Sequence, residues 1–352
     1  MKRFLLLAIA VSFVFTGLQA QVFTGTAKKE NVVFADRQAI MQYNKGIEYY
    51  GLKNYDSALV AFTKALEYDP AYYNALYNRA VIYYETAQYA KSLRDLELMK
   101  GSRSDSKVFN LMGKNQEALK QPSKALISFR AATELAPETA VNYYHIGAIY
   151  LLQSKFQDAI DYFSTAIEKD ASAALFFNDR GIAYRESGDI QKALQDFEKA
   201  TTLNSNLDYA FNNLGDIRMK QGQFKEAETE FTAALKINPD NYIAFNNRGL
   251  ARLKLGETDY AYQDFLKAHE LKPEFFEALN NMGYVLYLNQ EYQDALKFFT
   301  DLIKSHPNIG MYYFNRAIVK EMMRDEVGAC DDWSQALELG VKEAAEYLEN
   351  CK

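Results

Sequence analysis

Polar side chains able to pair with a peptide group recur along this sequence at a nearly constant interval. One series is Asn44, Asn78, His145, Asp179, Asn213, Asn247, Asn281 and Asn315. A second series, one residue earlier in its segment, is Asn110, Asn178, Asn212, Asn246 and Asn280. An amide side chain offers both a donor and an acceptor, so it can bond a peptide group in both directions without reading side chains. The chemistry that these residues suggest is sequence-tolerant binding of an extended polypeptide.

Asparagine is not a favoured residue inside a helix, so its repetition needs a cause. One hypothesis is that the amides bind the backbone of a partner peptide. The alternative is that they form hydrogen bonds between neighbouring segments of the chain, or hydrate its surface. The sequence leaves both interpretations open.

Groups that could support catalysis are sparse and scattered. The three histidines, His145, His269 and His306, are far apart and none is paired at i, i+4. No HExxH, GxSxG, glycine-rich phosphate loop, calcium loop or CxxC motif occurs, and most of the acidic residues fall on helix faces expected to be solvated. We therefore expect no catalytic residue, no metal site and no cofactor, with an enzyme of unrecognised site as the remote alternative.

The two cysteines are placed symmetrically about a glycine. Cys330 lies ten residues before Gly340 and Cys351 lies eleven after it. An antiparallel hairpin turning near Gly340 would bring the two thiols side by side, and an oxidising compartment would favour a disulfide between them. Two free thiols are the alternative.

The elements that must position these residues form an internal repeat. Small residues recur at intervals of 34, 33 and then 34 residues: Gly46, Ala80, Gly113, Gly147, Gly181, Gly215, Gly249, Gly283 and Ala317. Twelve residues after each lies Ala, or Ser in one unit, and sixteen after each lies a large apolar residue, most often Phe. Within each unit, apolar residues spaced three and four apart predict two helices. The small residues would allow these two helices to approach closely. The large residue would fill the space between repeats.

This 34-residue period with these anchors resembles the tetratricopeptide repeat. The resemblance implies an all-α, right-handed superhelical solenoid of about nine helix-turn-helix units with a C-terminal capping helix. The expected repeats span 39–72, 73–105, 106–139, 140–173, 174–207, 208–241, 242–275, 276–309 and 310–343. The expected flanking segments are a linker and helix start at 21–38 and a capping helix at 344–352.

The same resemblance implies where a partner would bind. Both polar series would line the concave surface formed by the first helices, where an asparagine in some members of the family grips a peptide backbone. Tyr77, Tyr84, Tyr144, Tyr209 and Tyr284 also fall on positions expected to face this groove. Aromatic side chains with polar neighbours are common in recognition surfaces, although each tyrosine is also a candidate for packing between repeats.

The N-terminal segment predicts export. Lys2 and Arg3 precede a run of apolar residues at 4–15, and Ala20 stands before a plausible cleavage site. The run is too short to span a bilayer, so a signal peptide at 1–20 is favoured over a retained membrane anchor. We expect an exported protein, periplasmic in a Gram-negative bacterium or extracellular, with no integral membrane span after cleavage.

Charge gives little reason to expect nucleic acid as a partner. The net charge is −6, and it becomes −8 without Lys2 and Arg3. The favoured function is a non-catalytic protein–protein interaction scaffold of the cell envelope that binds other proteins or peptide segments. A scaffold for polysaccharide export or cell-wall machinery with glycan contact is the alternative, and the oligomeric state stays open.

Overall fold

The computed structural model describes residues 34–99 and 105–351. These residues form nineteen α-helices and no strand, which confirms the expected all-α repeat fold. The expected signal peptide at 1–20 lies outside the described residues. The helices fall into two compact units, which are described separately.

Unit 1 ends at Lys169 and contains four helix pairs. Its helices are α1 Phe34–Gly51, α2 Tyr55–Tyr68, α3 Tyr73–Glu85, α4 Tyr89–Met99, α5 Ser106–Ala118, α6 Pro122–Leu135, α7 Ala140–Leu152 and α8 Phe156–Lys169. Within the unit, each helix packs on its neighbours in sequence.

Unit 2 begins at Asp170 and contains five helix pairs and one short final helix. Its helices are α9 Ala174–Ser187, α10 Ile190–Leu203, α11 Asp208–Lys220, α12 Phe224–Ile237, α13 Tyr242–Lys254, α14 Thr258–Leu271, α15 Phe276–Leu288, α16 Tyr292–Ser305, α17 Gly310–Met322, α18 Glu326–Glu338 and α19 Ala344–Leu348. The final helix is therefore shorter than the capping helix expected over 344–352.

The recurring glycine and phenylalanine pack against each other inside one repeat. A Cβ placed on Gly249 would lie 2.6 Å from the ring of Phe265, and one on Gly215 would lie 2.6 Å from the ring of Phe231. Both rings are fully buried. As expected, the large residue also packs between repeats, since Phe231 lies in one buried cluster with Ala251 of the next repeat, while its ring fills the space left by the glycine of its own repeat. The glycine is therefore required by close approach of an aromatic ring.

Each repeat also has one residue with a positive φ just after its first helix. The position is glycine in three repeats, with φ of +93° at Gly188, +77° at Gly222 and +78° at Gly256. The other six repeats place a residue with a side chain there: Lys53, Ala87, Lys120, Ser154, Gln290 and Arg324. The left-handed turn is therefore a property of the repeat, and glycine is only its least strained occupant.

Candidate functional site

In unit 2 the polar residues of the first helices form a row of hydrogen bonds between successive repeats. We call these residues the amide row. In each bond, Nδ2 of one asparagine donates to Oδ1 of an asparagine in the preceding repeat. The pairs are Asn213 to Asn178 at 3.1 Å, Asn247 to Asn212 at 3.3 Å, Asn281 to Asn246 at 2.9 Å and Asn315 to Asn280 at 2.6 Å.

The regular geometry explains why two adjacent positions carry asparagine. The donor and acceptor of each bond are 35 residues apart, one more than the repeat length. A central repeat therefore needs one asparagine that donates to the preceding repeat. It needs a second asparagine, one residue earlier, that accepts from the following repeat. The inter-repeat hydrogen bond is thus a property of this structure, and it accounts for helix-interior asparagine without a ligand.

The amide row retains capacity for a partner. A primary amide has two donor hydrogens and two acceptor lone pairs, and one inter-repeat bond uses only a part of these. Asn212, Asn213, Asn247, Asn280, Asn281 and Asn315 are half-buried, and Asn178 and Asn246 are buried. Binding of a peptide and bonding between repeats are therefore compatible uses of the same side chains.

Charged side chains lie beside the amide row at its N-terminal end in unit 2. Asn178 donates from Nδ2 to Oδ1 of Asp179 at 2.8 Å. Arg185 donates from Nη1 to Oδ1 of Asn213 at 3.4 Å and lies 3.7 Å from a carboxylate oxygen of Asp216. This end of the row therefore combines amide and ionic groups.

Unit 1 keeps the positions of the row but changes its bonds. Asn78 donates from Nδ2 to the hydroxyl of Tyr43 at 3.0 Å, and Asn110 donates to Oδ1 of Asn142 at 2.7 Å. Asn44, on the first helix of the first pair, is exposed. The contact between repeats is maintained here with other partners.

His145 replaces asparagine in the fourth repeat and packs differently. Its ring stacks on Phe129 with centroids 4.6 Å apart, and its Nδ1 lies 3.2 Å from Oε2 of Glu117. Both partners belong to the preceding repeat. His145 therefore also bridges two repeats, by stacking on Phe129 and by a polar contact with Glu117.

The five candidate tyrosines have different surroundings. Tyr77, Tyr84, Tyr144 and Tyr209 are half-buried, whereas Tyr284 is 42% exposed. Burial raises the pKa of Tyr209 to about 12, with contributions from the charges of Asp179 and Asp208. Burial likewise raises the pKa of both Tyr77 and Tyr84 to about 12. Tyr284 is the member of this group most open to a partner.

A set of buried ion pairs was missed in the sequence. Arginine follows the amide-row position in four repeats, and each guanidinium donates two hydrogen bonds, from Nε and Nη2, to an aspartate of the second helix. The pairs are Arg79 with Asp95, Arg180 with Asp196, Arg248 with Asp264 and Arg316 with Asp332.

These aspartates correct the expectation that acidic residues lie on solvated faces. Asp95, Asp196, Asp264 and Asp332 are each at most 5% exposed. The sequence signal was an arginine next to the row with an aspartate sixteen residues later, repeated four times. Arg248 also donates from Nη1 to the hydroxyl of Thr232 in the preceding repeat at 3.3 Å. The Arg248–Asp264 pair therefore stabilises one repeat and contacts the preceding one.

The C-terminal end of unit 2 is closed by a covalent bond. The structure joins Cys330 of α18 to Cys351 in a disulfide. The bond holds α19 against α18, where Tyr347 lies 4.8 Å from the ring of Trp333 and 5.3 Å from that of Phe314. The disulfide therefore fixes the last helix of unit 2 to the preceding one.

Two further findings concern the residues that the structure describes, 34–99 and 105–351. No helix in these ranges is long and apolar enough to cross a membrane. No group of three or more His, Cys, Asp or Glu side chains in the same ranges is arranged to hold a metal ion.

Family models recognise the repeats directly. Models described as tetratricopeptide repeat match residues 39–72, 61–94, 111–174 and 260–308, and a model described as TPR repeat matches 181–222 and 215–256. Together these matches cover more than half of the chain. The chain therefore belongs to the tetratricopeptide repeat proteins.

Individual relatives are distant. The human Tetratricopeptide repeat protein 6 is 27% identical over 109 residues, which are 31% of this chain and 21% of that protein. The match thus spans about a fifth of the length of this curated relative.

Solved structures show the same fold at low identity. A tetratricopeptide repeat protein from Parabacteroides merdae ATCC 43184 aligns with a TM-score of 0.54 and 18% identity, over 70% of this chain and 98% of that chain. The APC/C hetero-tetramer Cut9-Hcn1 aligns with a TM-score of 0.53 and 14% identity, over 89% of this chain and 76% of that chain. At these identities the likeness concerns the fold alone.

Proposed function

We propose that this protein is a non-catalytic protein-interaction scaffold that binds extended polypeptide segments along its first helices. The observation that carries the proposal is the amide row, which repeats hydrogen-bonding groups at the period of the fold. Stacked repeats of this kind create extended binding surfaces. A row of amides with unused donors and acceptors suits the backbone of a partner chain.

The candidate binding residues are those of the row and its neighbouring tyrosines. Asn44 and Tyr284 are exposed, and the half-buried asparagines of unit 2 are partly accessible to a partner. Asn213, Asn247 and Asn281 hold neighbouring repeats together, so their replacement tests stability as well as binding. A test of binding therefore needs a position that is open and structurally dispensable.

Tyr284 and Tyr260 provide a matched pair for such a test. Tyr284 lies on a first helix and is 42% exposed, while Tyr260 lies on a second helix and is 64% exposed. A photoreactive phenylalanine analogue at Tyr284 should cross-link partner polypeptides from the source cell, whereas the same analogue at the more exposed Tyr260 should not. Equal capture at both positions would refute binding along the first helices.

We further propose that the protein is exported and acts in the cell envelope or outside the cell. Two observations support this location: the positively charged and apolar N-terminal segment, and the disulfide, which is typical of oxidising compartments. N-terminal sequencing of the protein purified from its own cell should begin at Gln21. A mature protein that still carries residues 1–20 would contradict cleavage, and recovery from the cytosolic fraction would contradict export.

A further inference from the structure

The last two repeats of unit 2 expose apolar side chains on their first helices. Tyr284 and Leu288 on α15 are 42% and 40% exposed, and Met311 and Met322 on α17 are 41% and 48% exposed. The rings of Tyr284 and Tyr287 stack with centroids 5.9 Å apart and an interplanar angle of 20°. Tyr284 is exposed and Tyr287 is half-buried, so the stacked pair leaves part of its aromatic area in water.

A carboxylate on the neighbouring first helix lies near these rings. Glu321 on α17 occupies the repeat position equivalent to Tyr287 on α15, and the two helices are in contact. Burial raises the pKa of Tyr287, and the charges of Tyr292, Tyr284, Glu321 and Tyr347 raise it further. These groups are therefore close enough to interact electrostatically.

Glu321 is exposed, and it forms no ion pair with any residue in 34–99 or 105–351. The adjacent Lys320 is committed elsewhere, because its Nζ lies 2.8 Å from Oδ2 of the buried Asp332. The Glu321 carboxylate therefore supplies a negative charge close enough to Tyr287 to raise the pKa of its hydroxyl.

We propose that Tyr284, Tyr287 and Glu321 form a binding site for a lysine or arginine side chain carried by an extended segment of a partner protein. This inference rests on the proposed scaffold function and names the chemistry of one subsite. The aliphatic stem of such a side chain packs on the tyrosine rings, while its charge lies near the ring faces and the carboxylate. Leu288 and Met322 offer apolar area for the residues that flank it.

Other occupants fit this place less well. An acidic segment would be repelled by Glu321, and a purely apolar one would leave that carboxylate unpaired. A neutral glycan could stack on Tyr284, but it would gain nothing from a full negative charge beside the rings. The combination of ring faces and one carboxylate therefore favours a cation on an apolar stem.

The experiment measures binding of a fluorescent, acetylated peptide of alternating Lys and Phe to the mature protein by anisotropy. The same peptide with acetyl-lysine in place of lysine keeps the stem and removes the charge. Glu321→Gln removes the carboxylate charge, Tyr284→Leu removes a ring, and Glu338→Gln is the control, since it changes the net charge equally from an exposed position on α18.

The wild type should bind the lysine peptide saturably. Glu321→Gln and Tyr284→Leu should each raise its Kd by about 5-fold, whereas Glu338→Gln should leave the Kd within about 1.5-fold of the wild-type value. The acetyl-lysine peptide should bind the wild type more weakly and should not distinguish it from Glu321→Gln. Far-UV circular dichroism of each variant should match that of the wild type.

Equal effects of Glu321→Gln and Glu338→Gln would overturn the cation site, because only overall charge would then matter. Equal binding of both peptides would also overturn it, while leaving the first helices as a peptide-binding surface. The absence of saturable binding of the lysine peptide would overturn it as well. The proposed function fails only if the analogue at Tyr284 captures no more polypeptide than the analogue at Tyr260, so the two failures are distinguishable.

Discussion

Asn281 donates a hydrogen bond from Nδ2 to Oδ1 of Asn246, 2.9 Å away in the preceding repeat. Asn246 is only 6% exposed, so its acceptor is largely cut off from water. The bond thus satisfies a buried group and joins α15 to α13 in one interaction. The same Asn–Asn bond recurs between the other repeats of unit 2. The need for this bond therefore explains why the first helices carry asparagine and contributes to the stacking of the repeats.

Removing one member of this pair should destabilise the protein. We expect Asn281→Ala to lower the free energy of unfolding by about 1–2 kcal/mol, because it leaves the buried amide of Asn246 without its donor. The double-mutant cycle with Asn246→Ala should give a coupling energy of about 1 kcal/mol, measured by urea unfolding followed by far-UV circular dichroism. The exposed Asn44→Ala should change stability by less than about 0.5 kcal/mol. A coupling energy near zero would show that the bond adds nothing to stacking.

The sequence predicted the repeats because their signal is redundant. Period, small anchors and apolar spacing all indicate helix pairs, so the single interval of 33 residues does not hide the pattern. Gly249 and Phe265 illustrate this point: their spacing of sixteen residues, repeated through the chain, predicted the packing of two helices. What the spacing did not give was the direct contact of the Phe265 ring with Gly249 of the same repeat.

The candidate site was predicted less completely, because its chemistry depends on partners distant in sequence. The residue types identified the amide row, but the choice between bonding to a peptide and bonding between repeats depends on atomic distances. Asp264 shows the same limit. Its type suggested a solvated charge, whereas the fold places it beside Arg248, whose two donors satisfy it in the interior.

The glycine anchors should tolerate no side chain. Gly249→Ala would place a methyl group 2.6 Å from the buried ring of Phe265, and we expect a loss of about 1–3 kcal/mol in the free energy of unfolding. Gly51→Ala is the matched control, since a Cβ there has no atom within 4 Å. It should be neutral or slightly stabilising, because alanine favours helix. Similar losses for both variants in thermal or urea unfolding would refute the role assigned to close packing.

The left-handed position offers a stabilising substitution. Gln290 is exposed and has a φ of +63°, while its equivalent in the preceding repeat is Gly256 at +78°. A residue with a Cβ pays about 1–2 kcal/mol for this conformation, partly offset by the greater freedom of glycine in the unfolded chain. Gln290→Gly should therefore raise the free energy of unfolding by about 0.5–1 kcal/mol, and Gly256→Ala should lower it by about 1 kcal/mol. Destabilisation by Gln290→Gly would mean that the glutamine side chain contributes an interaction that outweighs the strain.

The buried ion pairs should be costly to break. Asp264 is 3% exposed and accepts hydrogen bonds from Arg248 and Arg252 at 2.7–2.9 Å. Asp264→Ala leaves these guanidinium groups without a counter-charge, so we expect a loss of about 3 kcal/mol in the free energy of unfolding. Glu270→Ala breaks an exposed pair with Lys267 and should cost less than about 0.5 kcal/mol. Comparable losses for the two variants would contradict the assignment of Asp264 to the structural core.

The disulfide should determine whether α19 stays in place. With only five residues, this helix is too short to be stable alone, so it depends on its packing and on the bond between Cys330 and Cys351. Closing a loop with a sequence separation of 21 residues should stabilise the protein by about 3 kcal/mol.

Intact-mass analysis should find no alkylated cysteine before reduction and two after it. Trp333, the single tryptophan, is 4% exposed beneath Tyr347, so reduction or Cys351→Ser should shift its emission to the red as α19 separates. The variant with both cysteines changed to serine should show the shifted emission with and without reductant. Two thiols that react without reduction, or an emission maximum that does not move, would show that packing alone holds the end of the chain.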